Sequence, residues 1–295
     1  MRDEDLREEF AAWLRPVREA DPPGLPVIRH RLRRRRARLA IGGSAALAAV
    51  AGIAVAVTTL SGARAPAGPS YPAGPPNLPS NIPVTRSGPH PVQGGYEVTS
   101  SYTVSSPVST LRVSAGRGSI TVTGSQRSTV SVSEQVRYPG RPATMVRNLT
   151  GKTMTLEEWE CSGLCTVSYD IRVSRGIAVS VSSEGKIRLS SLAGSVVAIS
   201  PFGPITADGI SSREAGFVSN NGAINATFTA PPTSVHASGS AGDITIHLPG
   251  TVAYQVTIPT WSQGKTAISV RQSSLSRHVI VAGSNQGAVV IAPSP

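Results

Sequence analysis

Residues 96–295 are predicted to form an all-β domain, and three observations lead to this fold class. From Tyr96 onward the chain consists of short runs in which Val, Ile, Thr and Ser alternate, as they do in half-buried strands. In its second half, a glycine followed two residues later by Ile, Thr or Val recurs at spacings of 18, 19, 20, 22 and 23 residues. Only 4% of all residues are aromatic, which favours the thin core of a β-solenoid or β-roll.

The amino-terminal end is predicted to be a small docking helix. Five apolar residues form one stripe on this helix, with charged residues opposite: Leu6, Phe10, Trp13, Leu14 and Val17. A lone helix of about fifteen residues is marginal in water. We therefore expect the stripe to contact a cytoplasmic protein, a membrane surface or a second copy, unless the segment is only a soluble tail.

A single transmembrane helix is predicted for residues 39–60. This uncharged run of 22 residues is long enough to cross a hydrocarbon core of roughly 30 Å. Seven arginines lie directly before it, in residues 29–38, so the positive-inside rule places residues 1–38 in the cytoplasm and the rest of the chain outside the membrane. A cleaved signal peptide is the alternative, but its apolar region usually has about 7–15 residues.

Residues 61–95 are predicted to be a linker. They contain nine prolines and six glycines and have almost no apolar period. A chain of this composition extends at about 3.1 Å per residue where it adopts polyproline II. The linker is therefore expected to hold the domain of residues 96–295 away from the membrane.

The β domain is predicted to repeat one supersecondary unit. Strands are expected at residues 97–104, 119–123, 130–138 and 166–173. Glycines are expected to supply corners with positive φ at seven positions: Gly118, Gly185, Gly203, Gly222, Gly242, Gly264 and Gly287. Gly151, in Gly151-Lys-Thr153, reads as a further early copy. Stacked units would line their apolar positions into one narrow core, although an Ig-like sandwich is an alternative.

Within each unit, the residues after the glycine are expected to alternate between the core and solvent. Ile224, Ala226 and Phe228 fall on one face of such a strand, and Asn225 and Thr227 fall on the other.

These Gly-x-Ile units, from about Val113 to Val290, resemble the adhesin-like family of bacterial β-strand-repeat domains. The resemblance covers roughly 60% of the chain and is one of rhythm more than of letters. It implies a right-handed β-solenoid-like stack on a cell-envelope protein, and it brings no catalytic residues. Composition agrees with a bacterial source, because Arg outnumbers Lys 25 to 3, as is typical of a high-GC genome.

The two cysteines are expected to pair. Cys161 and Cys165 both lie in the part of the chain placed outside the membrane, where disulfides persist. A zinc site would need two further ligands, and no other cysteine is present to supply them.

No catalytic, cofactor or metal site is predicted, and we expect no enzymatic activity. Between residues 176 and 295 the acidic residues fall in four different units, as Glu184, Asp208, Glu214 and Asp243. A glycoside hydrolase on a parallel β-helix would need such carboxylates to meet on one face.

Nucleic acid is not an expected partner either. Although the formal charge is +11, the only dense basic cluster adjoins the predicted membrane helix and has no interleaved aromatic residues.

Tyr254 and Trp261 are the candidate binding residues of the β domain. They lie close together in a region poor in rings, and an exposed Trp would suit a sugar or a protein partner, whereas filling a widened coil is the structural alternative. The leading expectation is a single-pass cell-envelope protein that presents a binding domain to a wall polymer or a surface protein. The alternative is a membrane regulator whose helix docks a cytoplasmic signalling partner while the outer domain senses the envelope.

Overall fold

The computed structural model describes residues 82–140, 144–160 and 164–295. Every regular element in these ranges is a β-strand, which confirms the predicted all-β class. None of the described residues belongs to a helix long and apolar enough to cross a bilayer. The predicted docking helix, the transmembrane helix at residues 39–60 and most of the linker lie outside the described residues.

Twenty-one strands follow one another in the described part of the chain. The first nine are β1 (Val84–Arg86), β2 (His90–Val92), β3 (Gly95–Val104), β4 (Thr110–Ala115), β5 (Ile120–Ser125), β6 (Val130–Tyr138), β7 (Thr144–Thr150), β8 (Thr153–Glu160) and β9 (Thr166–Ser174). The next six are β10 (Ala178–Ser183), β11 (Ile187–Ser190), β12 (Val196–Ser200), β13 (Ile205–Ile210), β14 (Glu214–Ser219) and β15 (Ile224–Phe228). The last six are β16 (Ser234–Gly239), β17 (Ile244–Leu248), β18 (Gln255–Thr257), β19 (Thr266–Ile268), β20 (Val279–Ser284) and β21 (Val289–Pro293). Strand β6 has the predicted bounds, and β3, β5 and β9 differ from the predicted runs by one or two residues.

The strands form two mixed sheets. The 12-stranded sheet has the order β1-β3-β6-β9-β5-β11-β13-β15-β17-β21-β19, with β2 paired to β3. The 9-stranded sheet has the order β18-β20-β16-β14-β12-β10-β4-β8-β7. From β10 onward, consecutive strands alternate between the sheets and pair in parallel with the strands of neighbouring coils. One strand from each sheet makes one coil, and these parallel ladders are incompatible with an Ig-like sandwich, whose sheets are antiparallel.

The coils do not stack in chain order at the two ends. Strand β20 pairs with both β16 and β18, and β21 pairs with both β17 and β19, so the last coil of the chain lies between two earlier coils. At the other end, the coil of β4 and β5 lies between that of β8 and β9 and that of β10 and β11. The repeat in the sequence predicts that coils stack, but it does not give this order.

Antiparallel strands complete the amino-terminal end. Strand β3 pairs antiparallel with β1, β2 and β6, β6 pairs with β9, and β7 pairs with β8. Strands β1 and β2 lie within the range predicted as linker, because Val84 and Val92 each enter a ladder with β3. Pro91 is tolerated there because β2 pairs only with β3, and proline is confined to edge positions of a sheet.

The core lies between the sheets and is built from ladders of apolar side chains. The residue two positions after each of six corner glycines forms one ladder in the 12-stranded sheet: Ile120, Ile187, Ile205, Ile224, Ile244 and Val289. All six are fully buried. In the 9-stranded sheet Phe217 lies between Ala198 and Ala237, so small neighbours leave room for its ring. The predicted inward series Ile224, Ala226 and Phe228 is confirmed as buried.

The corner glycines are required for a reason other than the predicted one. An ideal Cβ on Gly185, Gly203, Gly222, Gly242, Gly264 or Gly287 would lie 1.7–2.2 Å from a carbonyl oxygen of the glycine in the next coil. Of the seven predicted corners, only Gly118 has a positive φ, of 129°. Glycine is needed because neighbouring coils approach too closely for any side chain. Gly151 is not a corner, since it has φ of 60° and connects the antiparallel pair β7 and β8.

A ladder of serine hydroxyls joins the glycine corners of successive coils. The Oγ of Ser200 donates to the carbonyl of Gly185 at 2.8 Å and accepts from the amide of Gly203 at 2.9 Å. Ser284 repeats both bonds with Gly242 and Gly287, at 2.9 and 3.0 Å. Each such hydroxyl satisfies one donor and one acceptor of the buried backbone, which otherwise would lack partners at the corner.

Candidate functional site

The outer face of the 12-stranded sheet is polar, because alternate residues of each strand point away from the core. Two rows of neighbouring side chains cross this face. The first row is Thr85, Ser101, Ser133, Asp170, Thr121 and Arg188, and the second row is Thr103, Ser131, Arg172, Thr123, Ser190 and Asp208. The two rows place a nearly continuous track of hydroxyl groups across the strands, with charged side chains at defined positions.

A groove of about 630 Å³ lies on this face, above β3, β6 and β9. Its lining residues are Pro83, Thr85, Ser101, Tyr102, Thr103, Ser125, Arg127, Thr129, Ser131, Val132, Ser133, Asp170 and Arg172. Pro83 and Thr85 form one side with β1, and residues 125–129, which connect β5 to β6, form the other. The volume falls within the range of ligand pockets, which is roughly 300–1,000 Å³.

The charged side chains of the groove are exposed and have no ionic partners in the described part of the chain. Arg127, Asp170 and Arg172 are all exposed, and none takes part in an ion pair among the described residues. Arg137, on the same face of β6, contrasts with them, because its Nε donates to Glu97 at 2.5 Å. This bond, with one from Gln135, holds the pKa of the Glu97 carboxyl below its ordinary value. Arg127 and Arg172 therefore give the groove two guanidinium groups that form no ion pair among the described residues.

The groove offers hydrogen bonds and charge but no exposed ring. Each guanidinium presents a planar fork of donors that matches a carboxylate or a phosphate. Each Ser or Thr hydroxyl donates one hydrogen bond and accepts others. Among the described lining residues, the one aromatic side chain is that of Tyr102, which is 4% exposed and whose hydroxyl donates inward to Glu134. The site is therefore suited to polar and charged ligands and not to stacking.

A buried ion pair lies beneath the floor of the groove. Arg147 Nε lies 2.8 Å from both carboxylate oxygens of Glu134, and its Nη2 donates to the same carboxylate. Tyr102 Oη donates to Glu134 Oε1 at 2.6 Å, and the Arg147 guanidinium lies 5.7 Å from the centre of the Tyr102 ring. Glu134 is fully buried and Arg147 is 3% exposed. The pair links β6 in the floor of the groove to β7 in the opposite sheet.

Two tyrosines of this buried cluster resist ionisation. Burial, followed by the charge of Glu134, raises the pKa of Tyr102 and of Tyr169 above the ordinary value. Tyr169 is paired with Glu134 across β6 and β9. Its hydroxyl is buried and has no hydrogen-bond partner among the described residues.

The two residues predicted as binding aromatics have different environments. Tyr254 is fully buried, its hydroxyl donates to the carbonyl of Pro249 at 2.8 Å, and burial raises its pKa. The candidate binding role of Tyr254 is therefore contradicted, and the ring fills the core instead. Trp261 is 37% exposed, and its ring covers Gly283 on the outer face of the 9-stranded sheet, where a Cβ would lie 2.9 Å from it.

The other predicted sites lie wholly or partly outside the described residues. These are the docking residues Leu6, Phe10, Trp13, Leu14 and Val17, together with Cys161. Cys165 is 1% exposed, and no free cysteine is found in the part of the chain that the structure describes. Its pairing with Cys161 stays a prediction.

The groove was not anticipated from the sequence, although one signal was present. In β9, the inward residues Val167, Tyr169, Ile171 and Val173 alternate with Ser168, Asp170 and Arg172. Two adjacent outward positions thus carry opposite charges. The partner strands that place hydroxyl groups beside them come from distant parts of the chain, so their position required the sheet order.

Comparisons with known proteins give remote structural neighbours, which include two bacterial proteins. No family model matches the chain, and no curated protein matches it. A "putative cell adhesion protein" from Clostridium sporogenes is 12% identical over 72% of this chain and 99% of its own, with a TM-score of 0.36. A "putative adhesin" from Bacteroides fragilis is 12% identical over 67% of this chain and 96% of its own, with a TM-score of 0.40. At these scores the likeness carries no conclusion about function.

Proposed function

We propose that this chain is a non-catalytic, single-pass protein of the cell envelope whose β domain is an adhesin-like binding module. In this proposal the coil stack is a β-solenoid held outside the membrane by the proline-rich linker. The groove carries the proposal, because it combines ligand-sized volume with Arg127 and Arg172, neither of which forms an ion pair with an acidic side chain of the described residues. Two cationic groups in one groove attract ligands of opposite charge and hold them in a defined position.

Binding to envelope material tests this function. The full chain in detergent is incubated with purified cell-wall and cell-surface fractions, and the bound fraction is measured by sedimentation. We expect the wild-type chain to bind and the double variant R127E/R172E to lose most of its binding. R213E is the matched control, because Arg213 is an exposed arginine outside the groove. If R127E/R172E binds as well as R213E, the groove is not the binding site.

The membrane placement is tested separately on intact cells. Protease added outside should digest the β domain and leave a protected fragment that contains residues 1–60, because the arginines of residues 29–38 orient the helix. Protection of the whole chain in intact cells, with digestion only after lysis, would contradict the proposed topology.

A membrane regulator is the second candidate, and the apolar stripe at Leu6, Phe10, Trp13, Leu14 and Val17 favours it. A photocrosslinker at Trp13 would capture a specific cytoplasmic protein in that case. Deletion of residues 1–20 separates the two functions, because it should abolish signalling and leave envelope binding by the β domain intact.

A further inference from the structure

The chemistry of the groove specifies a ligand class, and this step rests on the function proposed above. We infer that the groove binds an anionic polyol polymer, whose phosphate or carboxylate groups contact Arg127 and Arg172 and whose hydroxyls contact the serine and threonine rows. Guanidinium groups form bidentate, charge-assisted hydrogen bonds with either anion. The lining residues that the structure describes offer no exposed ring on which a neutral sugar or a nucleic-acid base would stack.

Asp170 determines which kind of anion fits. Its side chain lies on the same face of β9 as that of Arg172, two residues along the strand. A carboxylate there repels a densely charged polyanion, but it accepts hydrogen bonds from the hydroxyls of a polyol. Ser133 and Thr121, its neighbours in the first row, add groups of the same chemistry on either side. The arrangement therefore favours anions that alternate with hydroxyls over an unbroken run of negative charge.

The site is long enough for a polymer because it continues beyond the groove. In the first row, Arg188 on β11 follows Thr121, and it lies two strands from Asp170 on β9. Strands are about 4.8 Å apart, so the cationic region extends roughly 10 Å beyond β9. Asp208 on β13 closes the second row after Ser190, and its negative charge sets the far limit of the region. A ligand that occupies the whole region would cross β6, β9, β5 and β11.

Titration of defined polymers into the full chain in detergent tests this inference. The probes are poly(glycerol phosphate), polygalacturonate, neutral dextran, polyacrylate and double-stranded DNA. We expect one or both of the first two to bind in a salt-sensitive manner, and longer oligomers to bind more tightly than dimers. Preference between these two distinguishes phosphate from carboxylate as the source of the anion.

Substitutions identify the residues that carry the selectivity. R172Q and R127Q should each weaken the favoured polymer by about tenfold, as expected for the loss of a charge-assisted contact, while R213Q has no effect. D170N should improve binding of polyacrylate relative to the favoured polymer. Unchanged thermal unfolding of R172Q and R127Q establishes that their loss of binding is not a loss of folding.

The results that overturn the inference differ from those that overturn the proposed function. If dextran, polyacrylate or DNA binds as tightly as the favoured polymer, the ligand is not specifically an anionic polyol. The proposal of a binding module would still stand. If none of the probes binds while envelope fractions still bind through Arg127 and Arg172, the ligand class is wrong and the function stands. If envelope fractions do not bind through the groove at all, both the ligand class and the proposed function are wrong.

Discussion

The hydroxyl of Ser219 donates a hydrogen bond to the carbonyl of Gly203 in the preceding coil, at 3.2 Å. The same oxygen accepts from the amide of Gly222 at 2.9 Å, so one side chain joins the corners of two coils. Glycine and serine thus have complementary functions at the four corners that have such a serine, which are those of Gly185, Gly203, Gly222 and Gly287. Glycine permits the close approach, and serine satisfies the backbone groups that this approach removes from water.

Replacement of a corner glycine by alanine is expected to be strongly destabilising. In Gly222→Ala the new Cβ would lie 2.1 Å from the carbonyl oxygen of Gly203, so the coils would have to separate. We expect the free energy of unfolding to fall by about 3 kcal/mol or more, measured by urea denaturation. Gly250→Ala is the control, because no atom lies within 4 Å of its ideal Cβ. Similar losses in both variants would contradict the steric reason.

The corner at Gly242 has Gly239 where a serine would stand, and a serine at this position is expected to stabilise the domain. Gly239 lies in register between Ser219 and Ser284, at the position where a hydroxyl would reach Gly222 and Gly242. Its ideal Cβ would be 3.4 Å from the carbonyl oxygens of Gly242 and Ser219, which is ordinary contact. Gly239→Ser should raise the free energy of unfolding by about 1 kcal/mol, from one added pair of hydrogen bonds and a less flexible unfolded chain.

Gly239→Ala separates these two contributions. It restricts the unfolded chain equally but provides no hydroxyl. Calorimetry should therefore rank the melting temperatures as serine above alanine, and an alanine variant as stable as the serine variant would exclude the hydrogen bonds as the cause.

Loss of one partner from the buried ion pair is expected to cost more than loss of both. Arg147→Met leaves the fully buried Glu134 without a cation and should lower the free energy of unfolding by about 3–5 kcal/mol. The triple variant Tyr102→Phe, Glu134→Leu, Arg147→Met removes the three polar side chains that hydrogen-bond to one another and should recover most of that loss. Chemical denaturation of both variants measures the difference, and a triple variant less stable than Arg147→Met would show that the network has a net favourable energy.

The buried tyrosines predict a loss of stability in alkali. Because the pKa of Tyr169 is raised in the folded state, folding keeps its proton bound while the unfolded chain releases it above its ordinary pKa of about 10. The contribution of this residue to stability is therefore complete below about pH 10 and is lost as pH rises further, by about 1.4 kcal/mol per pH unit. Tyr169→Phe should make the decline less steep.

A comparison of two tyrosine variants at neutral pH tests the environment of each hydroxyl. Tyr102→Phe removes the donor to Glu134 and should cost about 1–3 kcal/mol. Tyr169→Phe removes a buried hydroxyl that has no partner among the described residues, so its stability should be equal or up to about 1 kcal/mol higher. Thermal unfolding of the two variants measures the difference. A larger loss of stability in Tyr169→Phe than in Tyr102→Phe would contradict this view.

The sequence predicted the strand content and the core better than it predicted the groove. Alternation in β6 and the Gly-x-Ile units depend on neighbouring residues, so the strands and the buried isoleucine ladder were accessible from local pattern. Glu134 occupies an inward position of β6, and this break in an apolar alternation was the available signal for a buried ion pair. Arg147, its partner, is thirteen residues away on the opposite sheet, and only the pairing of the sheets brings them together.

The reason for the glycines was also beyond local pattern. Positive φ is a property of one residue, whereas the contact between Gly222 and Gly203 depends on the distance between coils. Positive φ and close approach of the coils both require glycine, so the sequence shows where the corners are. It does not show which of the two reasons applies.

The place of β20 and β21 in the stack affects when the neighbouring coils can close during synthesis. Until residues 279–293 have left the ribosome, the edges of β16 and β17 on one side and of β18 and β19 on the other have no partner. A prematurely terminated chain would therefore expose four unpaired edges, which are sites of aggregation and proteolysis. The compact state of this half of the domain therefore depends on residues 279–293, although they are made after the four strands that they join.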